Sequence, residues 1–252
     1  PPARCWIAPN GSHGPLDISG AIEHSCNYFF YEVGYRLSRN NGVYDSDTGL
    51  EKLAYYADQF GLSDKSGVEI SESAPKVSDF DAIRSAIGQG TNNYSTVGLA
   101  RYVTTVANSG NCYNLSLLSK ATDADGNLIA DYTPTLRNTV DLRQSTWDAI
   151  HQGMRKVVED KDYYKDLTIQ VAGKTGTAQE NRKRANHALF VCYAPYEQPQ
   201  IAIATRIAFG YASDYAAQVT KDIVKYYFKL EDESSLITGT AESTNVVQSA
   251  GD

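Results

Sequence analysis

Leu167-Thr-Ile-Gln-Val-Ala-Gly173, His187-Ala-Leu-Phe-Val-Cys-Tyr193 and Gln200-Ile-Ala-Ile-Ala-Thr-Arg206 are three runs of strand length and strand composition. Residues 195–199 link the second to the third, a connection short enough to require an antiparallel pair. Helical spacing dominates what precedes them. Leu16, Ile18, Ile22, Phe29, Phe30, Val33 and Leu37 recur at intervals near three and four. Residues 49–60 read as a second helix, with Leu50, Leu53, Ala54 and Phe60 inward and Gly61 as its stop. A third starts at Ser95 or Thr96, runs through Val97, Ala100, Val103 and Ala107, and ends at Gly110. Residues 61–92 read as loop, and 111–144 as short strands and turns with a hairpin turn at 123–127.

A fourth helix is expected from Ser145, with Asp148 placed as in a capping box and Trp147, Ile150, Met154 and Val157 inward. A last one runs from Asp214, its expected cap, to Tyr227, with Val219, Ile223 and Tyr227 inward. Residues 1–15 read as loop. Residues 231–252 are Ser, Thr and Glu with few large apolar groups, a polar tail beyond a domain at 1–230. Helices, then an antiparallel sheet, then a terminal helix predict an α/β chain of the α+β type: an antiparallel sheet flanked by helices.

The 252 residues carry 23 Lys+Arg against 30 Asp+Glu, and a net charge of −7 argues against nucleic acid as the main partner. No run approaches the ~20 apolar residues of a membrane-spanning helix. Four cysteines (Cys5, Cys26, Cys112 and Cys192) are too few for a disulfide scaffold. Cys112 and Cys192 read as single buried thiols, Cys192 in the core, and His151 as exposed.

Two short motifs carry chemistry, Ser25-Cys26-Asn27 and Lys174-Thr175-Gly176-Thr177. Separately, each reads as a cap or a turn. Together they resemble the penicillin-binding proteins, serine acyl-transferases that cross-link peptidoglycan. Ser12-His13-Gly14, Cys26-Asn27-Tyr28-Phe29-Phe30, Ala86-Ile87-Gly88-Gln89-Gly90, Ala172 to Ala178 and His187-Ala-Leu-Phe190 extend the resemblance to the monofunctional, class B members, from about Cys5 to Tyr227. It implies the penicillin-binding/serine transpeptidase fold, a stem peptide ending in D-Ala-D-Ala as substrate, β-lactam binding and no organic cofactor. It also implies a cell-wall glycosyltransferase as partner and a place on the extracytoplasmic face of a bacterial membrane.

The residue types suit such roles. Lys174 is a fixed positive charge that attracts a carboxylate, and Thr175 and Thr177 offer hydroxyl donors. Gly176 leaves room for an extended substrate to lie against the strand edge. By resemblance, the Thr177 N–H is an oxyanion donor. Ser25 relays a proton to the leaving amine, and Asn27 bonds the substrate amide and the catalytic lysine.

The family's Ser-x-x-Lys nucleophile motif has one formal match, Ser73-Ala74-Pro75-Lys76. Pro75 disfavours the helical turn the motif needs, so these residues read as exposed loop. The nucleophile, with a membrane anchor, is expected upstream, which makes this an N-terminally truncated domain that penicillin does not acylate. Two other readings stay open. One is a β-lactam sensor or serine β-lactamase of the same fold, for which the sequence offers no clear base: Glu72 lies in a plausible loop, but nothing in the sequence holds it there. The other is a non-catalytic binding module.

Cys5, His13 and Cys26 are spaced Cys-x7-His-x12-Cys. Cys and neutral His are zinc ligands; the plain alternative is two small thiols and a surface histidine. The resemblance implies a zinc beside the active site, with its fourth ligand an Asp upstream of Pro1. His24 is the in-chain substitute.

Overall fold

The computed structural model describes residues 4–8, 10–178 and 183–237. In chain order the elements are α1 (Ile18–Glu23), α2 (Asn27–Leu37), β1 (Arg39–Asn40), β2 (Val43–Tyr44), α3 (Ser46–Gln59), α4 (Ala82–Ser85), α5 (Thr96–Ala107), β3 (Asn111–Asn114), β4 (Lys120–Thr122), β5 (Leu128–Asp131), β6 (Thr135–Thr139), α6 (Gln144–Glu159), β7 (Ala172–Ala178), β8 (His187–Ala194), β9 (Ile201–Ile207), α7 (Ser213–Tyr227) and α8 (Glu233–Leu236). They form two compact units, one of residues 1–27 and 148–252, the other of residues 28–147.

The first unit is built on the antiparallel sheet β7-β8-β9. Its first strand is displaced from the expected one. Residues 167–171 follow a 3-10 turn at Asp162–Tyr164; Leu167 and Ile169 pack on the core and Val171 is buried. The strand itself is Ala-Gly-Lys-Thr-Gly-Thr-Ala, seven rungs paired with β8. Alanine and glycine are poor strand formers, so the ladder rather than propensity makes this strand. Lys174-Thr175-Gly176 therefore lies in mid-strand, beyond the 167–173 run expected to form it.

One sheet face, Ala188, Phe190, Cys192 and Ala194, is closed by α7 through Ala216, Ala217 and Val224. Thr220 is buried beside them, and its Oγ1 lies 2.7 Å from Thr205 Oγ1. This corrects the inward face expected for the helix. Val219, Ile223 and Tyr227 are 38–48% exposed, because α7 carries two stripes and only the small-residue one lets the helix approach the sheet closely. The cap also differs. Ala212 stands at the N-cap, while Asp214 in the first turn accepts from Lys161 Nζ and from Tyr163 Oη at 2.6 Å.

α6 begins at Gln144, so Ser145 lies inside the first turn rather than at the cap. His151 is half-buried, contrary to expectation, its ring edge-on to Tyr193 at 5.7 Å. α1 lies directly on α6: Ser19 Oγ donates to the Ala149 carbonyl at 2.8 Å. A Cβ at Gly153 would sit 2.8 Å from Ile22 Cβ and 2.9 Å from the Ser19 carbonyl oxygen.

The second unit hangs on two arginines. Arg101 of α5 is fully buried and donates to the carbonyls of Gly61, Asp64 and Lys65 and to the Asp64 carboxylate. Arg137 of β6 bridges Asp58 and Asp64. α3 starts three residues before the expected position and ends at Gln59, with Gly61 at φ +73°. α5 is capped by Ser95, whose Oγ accepts from Gly98 N. The 123–127 turn joins β4 to β5 as expected. Cys112 is buried in β3 and Cys192 in β8, neither in a disulfide. Ser73 and Lys76 are exposed and non-helical. Glu72 is held after all: its carboxylate accepts from Ser66 N and Oγ, both at 2.8 Å, and from Ser95 Oγ. Among the described residues no helix is long and apolar enough to cross a membrane. Most of the expected tail, residues 238–252, lies outside the described residues.

Gly153→Ala raises helix propensity by about 1 kcal/mol but forces a methyl onto Ile22 and the Ser19 backbone. Overpacking of this kind costs about 1–3 kcal/mol, so urea unfolding should show net destabilisation; a stabilised variant would contradict the α1–α6 contact.

Candidate functional site

α1 is short, and its ends determine what it presents. Asp17 caps its start, Oδ1 accepting from Gly20 N at 2.8 Å. Its end is a Schellman motif: Cys26 N donates to the Ala21 carbonyl at 3.0 Å and Ser25 N to the Ile22 carbonyl at 3.2 Å. That motif puts Ser25 at φ +50°, a left-handed position usually given to glycine. A serine retained there is a strained residue of the kind that collects at functional sites.

The strain aims Ser25 at β7. Lys174 Nζ donates to Ser25 Oγ at 2.8 Å, across 149 residues of sequence. The ammonium also donates to the Thr175 carbonyl at 3.2 Å and lies 3.4 Å from Thr175 Oγ1. Burial, and then the positive charge of Lys161, pulls Lys174 down to about 8. No feature of the sequence marks Lys161 for this; only folding places it there.

β7 is an edge strand, and its outer side pairs with no strand among the described residues. Pleating puts Lys174 and Gly176 on one face and Thr175 and Thr177 on the other. A Cβ at Gly173 would lie 2.5 Å from Phe190 Cζ, so packing demands that glycine. At Gly176 a Cβ would approach only Leu189, at 3.4 Å or more. The fold does not demand Gly176; it leaves the strand bare beside Lys174. Asn27, the first residue of α2, makes no side-chain hydrogen bond among the described residues.

Cys5, His13 and Cys26 converge beside Ser25, their ligand atoms all within 4.8 Å of one another. Cys5 Sγ lies 3.6 Å from His13 Nδ1 and 3.8 Å from Cys26 Sγ. Tetrahedral zinc with Zn–S about 2.3 Å and Zn–N about 2.0–2.1 Å requires S···N near 3.6 Å and S···S near 3.8 Å. The two separations from Cys5 therefore match two edges of one tetrahedron, and the third pair, His13 and Cys26, lies within 4.8 Å. Burial, followed by the charge of His24, lowers the His13 pKa. Its ring is stacked on His24 at 5.1 Å and met edge-on by Trp6, whose Nε1 donates to the His24 carbonyl at 3.1 Å. His24 itself groups with Glu23 and Asp160 rather than with the triad. Trp6 supports this cluster and carries no signal in the sequence.

The chain matches the family model described as the penicillin binding protein transpeptidase domain over residues 3–225. It is 27% identical to the peptidoglycan D,D-transpeptidase MrdA of Haemophilus influenzae, over 88% of this chain and 39% of that protein. Penicillin-binding protein 2B of Streptococcus pneumoniae superposes with a TM-score of 0.78 at 24% identity, covering 90% of this chain and 41% of that one. Penicillin-binding protein A of Mycobacterium tuberculosis, solved as an imipenem acyl-enzyme complex, superposes at 0.74 with 21% identity, covering 88% and 49%. The chain thus spans about two fifths of the length of the curated relatives it matches.

The Lys174 ammonium has a definite pH signature. It titrates at about 8 when folded and near 10.4 when unfolded, so between those values the unfolded chain binds more protons. Stability relative to Lys174→Met should rise as pH is raised through that window. Urea unfolding of both proteins at about pH 7 and about pH 10 measures it; a pH-independent difference would mean the ammonium is not desolvated.

Proposed function

Because the chain belongs to the family of penicillin-binding protein transpeptidase domains, we propose that it supplies the substrate-gripping part of a peptidoglycan D,D-transpeptidase, acting on stem peptides ending in D-Ala-D-Ala. The observation that carries this is the 2.8 Å Lys174–Ser25 hydrogen bond beside an open strand edge. An extended peptide adds to β7 as a further strand, with its terminal carboxylate toward Lys174 and the Thr175 hydroxyl. Ser25 Oγ accepts from Lys174, which leaves its own O–H free to donate, as protonation of the leaving amine requires. The Thr177 N–H is assigned to the oxyanion and Asn27 to the substrate amide by family likeness.

The nucleophilic serine, with its lysine one helical turn on, is not found at Ser73 and Lys76, which are exposed and non-helical, Lys76 being bridged to Asn93. In this reading it comes from a segment N-terminal to the chain, together with a membrane anchor that holds the enzyme at the extracytoplasmic face. β-Lactams are expected as ligands of the same edge, and a cell-wall glycosyltransferase as a working partner. A β-lactamase is less well supported. Glu72, its candidate base, has its carboxylate committed to Ser66 and Ser95, and those hydrogen bonds outweigh burial and hold its pKa below the usual carboxylate range. A module without catalysis differs from the enzyme only in the segment that carries the nucleophile.

A labelled β-lactam retained through denaturation tests the reading. The parent protein should be labelled, and Lys174→Met should slow labelling by about 10²-fold or more. This chain alone should carry no label. Labelling of the isolated chain, or none on the parent, would refute the assignment.

Zinc belongs to the same proposal. Cys5, His13 and Cys26 would hold it, and the matching donor separations support the fit. When bound, the ion would lock the Cys26 end of the turn that carries Ser25 and so act structurally. Elemental analysis after dialysis should find about one zinc per chain, falling to background in Cys5→Ser; zinc far below stoichiometric in the unaltered chain would remove it.

A further inference from the structure

Arg206 on β9 lies directly opposite Leu189 on β8, and Leu189 lies opposite Gly176 on β7. Directly opposed residues share a sheet face. Arg206 therefore stands on the face of Lys174 and Gly176, two strands, or roughly 10 Å, in from the open edge. Its guanidinium leans back toward that edge. Nη2 lies 3.3 Å from Nδ1 and 3.4 Å from Nε2 of His187, and His187 is the residue opposite Ala178, the last of β7.

This contact leaves the charge without an anionic partner. Phe209 N donates to His187 Nδ1 at 3.1 Å, which takes that nitrogen's lone pair. An imidazole brings no negative charge, so this contact does not neutralise the Arg206 guanidinium. The Phe209 ring packs on His187 at 4.7 Å and carries the Arg184 guanidinium 5.3 Å from its centroid. Phe209 and Tyr211 hold this turn at φ +54° and +65°, and Tyr211 N ties it to the Asn186 carbonyl at 3.1 Å. Neither arginine has a carboxylate in ion-pair range among the described residues. In a chain of net charge −7, two exposed arginines without a counter-charge at the end of the candidate substrate strand point to an anionic ligand.

We propose that Arg206 and Arg184 form a carboxylate subsite that selects peptides with a free acid upstream of their C-terminus. This rests on the transpeptidase reading and specifies its substrate. A peptide strand advances about 3.3 Å per residue, so the four residues from Lys174 to Ala178 span about 13 Å. With the terminal carboxylate at Lys174, the acid that reaches the arginines belongs to a residue three or four positions earlier, or to a long side chain one position nearer.

The test uses this chain and fluorescent five-residue peptides ending in D-Ala-D-Ala. Two are identical except that an upstream side-chain carboxyl is free in one and a carboxamide in the other; a third replaces the terminus by L-Ala-L-Ala. By fluorescence anisotropy, the free acid should bind about tenfold tighter or more than its amide, a gain of the size expected of charge-assisted pairing. Arg206→Gln and Arg184→Gln should each shrink that preference, their combination should abolish it, and Arg206→Lys should keep part of it. Equal binding of acid and amide, or a preference that survives the double substitution, overturns the subsite and leaves the transpeptidase reading intact. Equal binding of the D,D and L,L peptides with the acid preference retained overturns the transpeptidase reading instead. No binding of any peptide overturns both. Both side chains are exposed, and thermal melting checks that each variant folds.

Discussion

The hydrogen bond from Lys174 to Ser25 is the constraint around which the first unit is arranged. Holding an ammonium away from water is unfavourable unless its protons find acceptors. Here the acceptors are a hydroxyl from the opening helical region and a carbonyl of its own strand. The fold brings the two groups together by three separate means. The α1 Schellman turn puts Ser25 in a conformation that side chains rarely adopt. The close α1–α6 contact at Gly153 leaves no slack in the helix that carries it. The seven-rung ladder with β8 holds Lys174 in register. A lysine brought to about 8 is still mostly charged at neutral pH, yet close enough to titration to exchange protons with a hydroxyl partner.

The same turn serves a second purpose. Cys26 follows Ser25, and its sulfur faces Cys5 and His13 rather than Lys174. One Schellman motif thus separates two chemistries by a single residue. The hydroxyl goes to the cation on the sheet, and the thiol goes to a second thiol and an imidazole. Stacking of His24 on His13 and the Trp6 bond to the His24 carbonyl brace the imidazole from behind.

The second unit shows how buried charge is used purely for architecture. Arg101 is wholly enclosed, and its cost is offset by three backbone carbonyls and one carboxylate. Those carbonyls belong to residues 61–65, a segment without helix or strand that has no other ladder to satisfy it. Glu72 does the same for Ser66 and for Ser95, the α5 cap. A carboxylate fully engaged in this way is a poor general base, because its hydrogen bonds stabilise the charged form.

Much of this was readable in one dimension. Periodicity located α3 and α5 and the antiparallel pair β8–β9, since those elements bury an apolar stripe of ordinary spacing. Motif chemistry picked out Ser25, Lys174 and the Cys5–His13–Cys26 set. Tertiary structure alone decided the rest. β7 is a strand of small residues that only pairing makes into one, so its neighbour 167–171, richer in β-branched residues, carried the stronger local signal. α7 has two candidate faces, and only contact with the sheet chooses the one with alanines. The depressed affinity of Lys174 for its proton and the leaning of Arg206 toward His187 come from groups far apart in the chain. Local sequence sets torsional preferences and hydrophobic period; it does not encode the dielectric or the charges that folding brings to a side chain.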